Sequence, residues 1–319
     1  MIISNFTEEW IPQAMELLRE NYEEEKAFVP SLPKVDNYWE MECFARNGMG
    51  VVATEKDCLI GFLCGWEPFR PVFCTPDVTG VWSPLHAHAA QREKRISIYR
   101  RMYQAAAEKW AKAGASSHAI TLFAHDVAAR EAFYMYSFGV RCMDFMSELR
   151  IDEACTAVEG IRFCEIPRER SMEITPLRRM LSEHLSHSPC FMKQTKEDEE
   201  RWLENRVEDS PRIFAAEKDG EWVGYLEVVP NGENGENYIS CQKGVWNICG
   251  AYCSPSQRGN GTAAGILQLM KTTLAKEGVR WLGVDCESIN PTALGFWTKH
   301  FDAYTHSVVR RIDENVLLK

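Results

Sequence analysis

Long apolar runs are missing from this chain of 319 residues. A membrane-spanning helix needs about 20 consecutive apolar residues, and no stretch of the sequence approaches that length. Residues Met1 to Asn5 carry neither a basic cluster nor the start of an apolar core, so no targeting segment is expected. The sequence therefore predicts a protein without a membrane partner that works in the cytoplasm.

Paired metal-ligand or disulfide motifs are also absent. None of the twelve cysteines forms a Cys-x-x-Cys pair, and most lie in apolar contexts, which is typical of buried thiols in a reducing compartment. Cys249 and Cys253 share one face of a predicted strand, but nothing near them completes a zinc set. His86 and His88 are interpreted as surface residues of a loop. We therefore predict no metal.

Basic residues are fewer than acidic residues, and the formal net charge is −10. Such a balance argues against a nucleic-acid partner and is compatible with an amine-bearing substrate. The composition, 45% hydrophobic and 26% charged, is that of an ordinary globular protein. The length favours about two domains.

One stretch organises the second half of the chain. An apolar strand, residues 245–253, leads into the loop Arg258-Gly259-Asn260-Gly261-Thr262, and a helical pattern follows it. The two glycines let the backbone approach a ligand closely, and the first amides of the helix have no carbonyl partner within it. This arrangement predicts an anion site. It is not a P-loop, because no lysine follows the glycines.

The loop and its surroundings resemble the GNAT (Gcn5-related) N-acetyltransferases. Residues 258–263 fit that family's Q/R-x-x-G-x-G/A loop, and a second helix opens at Asn290 and ends with the aromatic pair Phe296-Trp297. The resemblance implies that acetyl-CoA is the co-substrate. The residues implied to bind it are Ala251, Tyr252, Cys253, Arg258, Gly259, Asn260, Gly261, Thr262, Ala263, Asn290 and Trp297.

The same resemblance assigns the catalytic roles only in part. A backbone amide at residue 251, 252 or 253 would hold the acetyl carbonyl oxygen. The tyrosine that usually protonates the leaving thiolate is replaced by Trp297, so Tyr304, Tyr252 or a water are the candidates for that role. Glu227 is the candidate general base, with Asp285 as the second choice.

The order of elements repeats along the chain. Gly114 and Gly278 each end a helix at corresponding points, and 278 − 114 = 164 residues is about half the length. We predict an α/β (α+β) fold of two tandem GNAT-like domains, each with a mixed, mainly antiparallel central sheet flanked by helices. Domain 1–150 is a degenerate copy, because its counterpart loop, residues 90–97, lacks glycine; domain 160–319 carries the acetyl-CoA loop.

The predicted function is acetyl-CoA-dependent N-acetylation of a primary amine by direct transfer in the C-terminal domain. The alternative is an acyl-CoA-binding or regulatory protein without transferase activity. The acceptor is expected to be a small-molecule or peptide amine, and the chain to be a monomer or homodimer. The polar segment 230–237 is interpreted either as a lid over the acceptor or as a plain hairpin tip.

Overall fold

The computed structural model describes residues 1–35, 41–72, 77–151, 157–208, 210–230 and 237–317. The segment 231–236, which includes most of the predicted lid or hairpin tip, lies outside the described residues, as do residues 152–156 of the predicted interdomain linker. Two compact units make up the chain. The first comprises residues 1–144, 237–239 and 302–319, and the second comprises residues 145–236 and 240–301.

The first half of the chain alternates short strands with helices. Its elements are β1 (Ile2–Asn5), α1 (Ile11–Phe28), α2 (Glu42–Arg46), β2 (Val51–Glu55), β3 (Cys58–Leu63), β4 (Gly80–Ser83), β5 (His88–Ala90), α3 (Arg95–Lys112), β6 (Ser117–Phe123), α4 (Val127–Tyr134) and β7 (Gly139–Glu148).

The second half repeats this order. Its elements are β8 (Arg162–Ile166), α5 (Thr175–Ser186), α6 (Lys196–Glu208), β9 (Arg212–Lys218), β10 (Glu221–Pro230), β11 (Val245–Cys253), α7 (Thr262–Lys276), β12 (Trp281–Glu287), α8 (Pro291–Trp297), β13 (Asp302–Ala303) and β14 (Thr305–Arg311).

The first unit contains two sets of strands. β1, β2, β3 and β5 form an antiparallel sheet, and β4, β6, β14 and β7 lie side by side in that order. β4 runs parallel to β6. The buried stripe of α3 packs against the strands through Tyr99, Met102, Tyr103, Ala106 and Trp110, each at most 2% exposed. The 3.6-residue period of that stripe therefore gives the helix its core-facing side.

The second unit is built on the strand order β8, β9, β10, β11, β12. All neighbouring pairs are antiparallel except β11 and β12, which run parallel. The buried stripe of α7 consists of Ile266, Leu267, Met270 and Leu274, each at most 2% exposed. Gly265 lets this helix lie close to β8, because a Cβ there would meet the Phe163 ring at 2.3 Å.

The compact units exchange segments relative to a simple division of the chain. The last strand, β14, pairs with β6 and with the first half of β7, so residues 302–319 group with the N-terminal unit. Residues 145–148 of β7 group with the second unit, where the Leu149 amide donates to the carbonyl of Arg280 at 2.7 Å. The division of the sequence into two contiguous repeats at residues 150–160 stays a prediction.

The structure corrects the interpretation of His86 and His88 as surface residues. His86 is fully buried and His88 is 4% exposed. His88 lies in β5, where its Nε2 donates to the carbonyl of Thr121 at 2.7 Å and its Nδ1 accepts from the Tyr99 hydroxyl at 3.0 Å. In the first copy, the two short strands β4 and β5 stand where the second copy has the continuous strand β11. This division places both imidazole rings in the interior of the unit.

Two kinds of feature are absent from the described part of the chain. None of its helices combines the length and apolarity that crossing a bilayer requires. Within the same ranges, no cluster of three or more His, Cys, Asp or Glu side chains has the arrangement to hold a metal ion.

Candidate active site

The site begins where two parallel strands part. β11 and β12 pair in register from Val245 opposite Trp281 to Ile248 opposite Val284, and there the pairing ends. β11 continues to Cys253 along β10. Backbone groups of β11 beyond residue 248 therefore face a gap that a ligand chain can enter.

A β-bulge lies at the point of divergence. Glu227 stands opposite Gly250 and Val228 stands opposite Ile248, so Cys249 is the extra residue on β11. A bulge increases the local twist and redirects the following residues, and such features are frequent beside active sites. Here it turns the end of β11 away from β12.

The gap opens into a cavity of about 530 Å³, which is within the usual range of about 300–1,000 Å³ for small-molecule sites. Its walls come from α5, the end of β11, the glycine loop and α8. The lining residues used below are Leu181, His184, Tyr225, Tyr252, Cys253, Arg258, Gly259, Gly261, Ala263, Ala264, Asn290, Phe296, Trp297, Lys299 and His300.

The glycine loop forms one end of the cavity. Gly259 and Gly261 adopt left-handed conformations with φ of 80° and 95°, which side chains with a Cβ rarely adopt. The side-chain oxygen of Asn260 accepts from the amide of Thr262 at 3.1 Å and from its hydroxyl at 2.7 Å. Asn260 and Thr262 therefore shape the loop rather than line the cavity.

The start of α7 supplies the electrostatics of this end. The amides of Ala263 and Ala264 lie in the first turn of a 15-residue helix, where the positive end of the dipole favours an anion. Arg258 adds a charge at the mouth. Its Nε donates to the carbonyl of Cys253 at 2.9 Å, and its guanidinium lies 5.7 Å from the centre of the Tyr252 ring. The arginine therefore ties the loop to the end of β11.

The opposite wall is the start of α8. The side-chain oxygen of Asn290 accepts from the amide of Ala293 at 3.3 Å, as an N-cap residue does. Nε2 of His184 lies 3.4 Å from the same oxygen. Trp297 is 3% exposed and packs edge-on against Phe296 and Phe301, with ring centres 4.9 and 5.5 Å away. This wall is therefore aromatic and tightly packed.

Comparison with known families agrees with this geometry. A family model described as the acetyltransferase (GNAT) family matches residues 178–302. These residues belong to the GNAT acetyltransferase family. No curated protein sequence matches the chain.

Solved structures extend the fold comparison over nearly the whole chain. The GCN5-related N-acetyltransferase from Sphaerobacter thermophilus is 15% identical with a TM-score of 0.58, and the match covers 97% of this chain and 95% of that one. A GNAT-family acetyltransferase from Colwellia psychrerythraea is 14% identical with a TM-score of 0.47, covering 98% and 100%. The first confirms the predicted fold class of two GNAT-like domains; the second is too distant to carry an argument.

The three candidate catalytic residues do not meet in the GNAT cavity. Glu227 is fully buried beneath α5 and forms an ion pair with Arg178, whose Nε lies 2.7 Å from Oε1. Asp285 is exposed on β12 and does not line the cavity. Tyr304 lies in the first compact unit, where the side-chain amide of Asn237 donates to its hydroxyl at 3.0 Å. Catalysis in this cavity therefore has no geometric support from these three residues.

Sequence reasoning missed the cavity residues on α5 and those that follow α8. Leu181, His184, Lys299 and His300 all line the cavity. Burial lowers the pKa of His300, and the nearby Lys271 and Lys299 lower it further. The available signal was the helical spacing of Leu177, Leu181 and His184 along α5, but periodicity alone does not tell which wall a helix forms.

The first unit carries paired charges at the positions that correspond to this site. Asp126 caps α4 by accepting the Ala129 amide at 2.9 Å, as Asn290 caps α8, and 290 − 126 = 164 is the repeat spacing. Arg95 at the start of α3 is 5% exposed and bonds to Glu24 at 2.7 Å and to Asp126 at 3.1 Å. Charged side chains of α1, α3 and α4 thus join where the second unit has its glycine loop.

Proposed function

We propose that the protein transfers an acetyl group from acetyl-CoA to a primary amine, and that the reaction takes place in the cavity of the second unit. The observation that carries the proposal is the parting of β11 from β12 next to the loop of Gly259 and Gly261. A strand gap and an anion-binding helix start within one cavity suit an elongated ligand with an acyl group at one end and phosphates at the other.

The described residues suit each part of acetyl-CoA. The amides of Gly261, Ala263 and Ala264 and the Arg258 guanidinium suit the pyrophosphate. The unpaired edge of β11 suits the pantetheine arm, which is itself an extended chain of amides. A backbone amide among residues 251–253 would then donate to the thioester carbonyl oxygen as negative charge develops on it.

Replacement of the usual tyrosine by Trp297 is compatible with transfer. An indole N–H is not a useful acid, but a thiol has a pKa of about 8.5, so a thiolate leaves readily and is protonated by solvent near neutral pH. Tyr252 lines the cavity and is the remaining candidate for a direct proton donor. The acceptor is proposed to be a small-molecule or peptide amine.

Calorimetric titration with acetyl-CoA tests the binding half of the proposal. Gly261→Glu would place a side chain and a negative charge in the anion site. Gly278→Glu is the matched control, because Gly278 ends the same helix, has a similar φ of 89° and would contact nothing within 4 Å. We expect one equivalent to bind to the native chain and to the control and none to Gly261→Glu. Binding retained in Gly261→Glu would contradict the assignment of the site.

Thiol release with a panel of amines tests the transfer half. Acceptors of different charge, namely tyramine, spermidine, glucosamine and L-lysine, would each be combined with acetyl-CoA, and products would be verified by mass spectrometry. Acetylation of at least one amine is expected. Binding of acetyl-CoA without any acetylated product would favour the alternative, an acyl-CoA-binding protein without transferase activity.

A further inference from the structure

The cavity lacks the usual general base of such a reaction. None of its lining residues, within the described ranges, carries a carboxylate, and its charged groups Arg258 and Lys299 are basic. The Cys253 thiol is held protonated because burial raises its pKa. At neutral pH the proton acceptors left on the lining are the imidazoles of His184 and His300.

The contact with Asn290 fixes the tautomer of His184. The Asn290 Oδ1 already accepts the Ala293 amide, so its amide group cannot be flipped without losing the N-cap of α8. An amide oxygen only accepts, so Nε2 of His184, at 3.4 Å, is the donor. The neutral ring then carries its lone pair on Nδ1, and the one side-chain hydrogen bond that His184 makes within the described part of the chain uses Nε2 and not Nδ1. A base oriented through its second nitrogen is the arrangement that general-base histidines require.

His300 is placed less favourably for the same task. Its ring stacks obliquely on Phe296 with centres 4.7 Å apart, and its backbone carbonyl holds the Lys271 ammonium at 3.0 Å. Lys271 and Lys299 give it a cationic neighbourhood, which opposes the approach of an ammonium group. None of the contacts described for His300 fixes which ring nitrogen carries the proton.

We propose that His184 is the general base that takes the proton from the acceptor amine. This inference rests on the proposed function. The ammonium form of the acceptor gives one proton to Nδ1 of His184, and the freed lone pair attacks the thioester carbonyl carbon. The C–N bond forms, the C–S bond breaks with its electron pair going to sulfur, and a second proton leaves the nitrogen and passes to the thiolate. His184 then releases its proton to solvent. The products are the N-acetylated amine and CoA.

The test compares histidine variants in the thiol-release assay with the four amines above. His184→Gln should lower kcat/KM by about 10²–10⁴-fold, the usual contribution of general-base catalysis, while the affinity for acetyl-CoA in calorimetry stays as in the native chain. His187→Gln is the matched control, because His187 lies one residue beyond the end of the same helix. His187 is exposed and does not line the cavity, and its Nδ1 donates to the carbonyl oxygen of Glu183 at 2.7 Å. The rate of His187→Gln should therefore equal that of the native chain.

Chemical rescue separates catalysis from structure. His184→Gly should regain rate when imidazole is added, which a merely structural defect would not allow. His184→Asn serves as a further variant if the glycine variant does not fold.

The results separate a failure of this inference from a failure of the proposed function. Acetylation by the native chain together with a native rate in His184→Gln overturns the role of His184 alone. A larger loss in His300→Gln than in His184→Gln likewise overturns it, in favour of His300. Failure to acetylate any of the four amines counts against the transferase proposal and, with it, this inference.

Discussion

The buried ion pair between Arg178 and Glu227 offers the sharpest test of the structure. Both side chains are at most 1% exposed, and they join α5 to β10 beneath the cavity. Oε2 of Glu227 and Nη1 of Arg178 have no hydrogen-bond partner among the described residues. Glu227→Gln keeps the shape of the side chain and removes its charge, so it leaves a buried guanidinium without its counter-ion.

The expected loss follows from the cost of an unpaired buried charge. Removing one partner of a buried pair costs about 3–5 kcal/mol, whereas replacing both partners by neutral groups is often close to neutral. In a unit of about 150 residues, each kcal/mol shifts Tm by about 2–4 °C, so the unit should melt about 6–20 °C lower. Adding Arg178→Met to Glu227→Gln should restore most of that loss.

Differential scanning calorimetry measures the effect, with Glu173→Gln as the control. Glu173 pairs with Arg170 in the same unit, but both side chains are largely exposed, so Tm should not change measurably. A native Tm in Glu227→Gln would refute the buried pair. If acetyl transfer were also lost in such a stable variant, Glu227 would be the general base after all.

Two further changes have defined outcomes. Gly265→Ala would force the Phe163 ring to move, so the second unit should lose about 1–3 kcal/mol, as in other overpacked cores; Gly295→Ala, which meets nothing within 4 Å, should not lower the Tm seen in the same calorimetry. Burial lowers the pKa of His88 to about 4 from its ordinary 6.5. As the pH falls, the unfolded chain therefore takes up a proton on this histidine before the folded chain does. The contribution of His88 to the free energy of unfolding is complete above pH 6.5 and decreases as the pH drops towards 4. Urea unfolding between these values should show that slope, and His88→Gln should reduce it.

Much of the fold could be predicted because its signals are local. The stripe of α7 repeats every three to four residues, and the glycines before it need left-handed backbone, so strand, loop and helix follow from adjacent residues. The exchange of β14 into the first unit could not be predicted. Its pairing partner β6 lies more than 180 residues earlier, and an alternating strand pattern does not specify which sheet accepts it. Tyr304 directly precedes β14 and groups with the first unit, so the sequence alone could not show that it lies away from the cavity.

The candidate site was predictable on its cofactor side and not on its acceptor side. The amides of the loop are backbone groups whose direction follows from the helix start, whatever the side chains are. The positions of Glu227 and His184 relative to the cavity depend on the packing of α5 over β10, which is a tertiary contact. The sequence gives no sign that Arg178, 49 residues before Glu227, neutralises that carboxylate.

The two copies differ by charge at equivalent positions around the start of the helix. Arg95 and Gly259 are 164 residues apart, as are Asp126 and Asn290. Asp126 and Asn290 both cap their helices, but the aspartate is charged and holds Arg95, which stands where the second copy has Gly259. An anion entering the first unit would have to displace Glu24 and Asp126 from Arg95. In the second unit, the neutral Asn290 needs no counter-ion, so the amides at the start of α7 stay accessible to a phosphate.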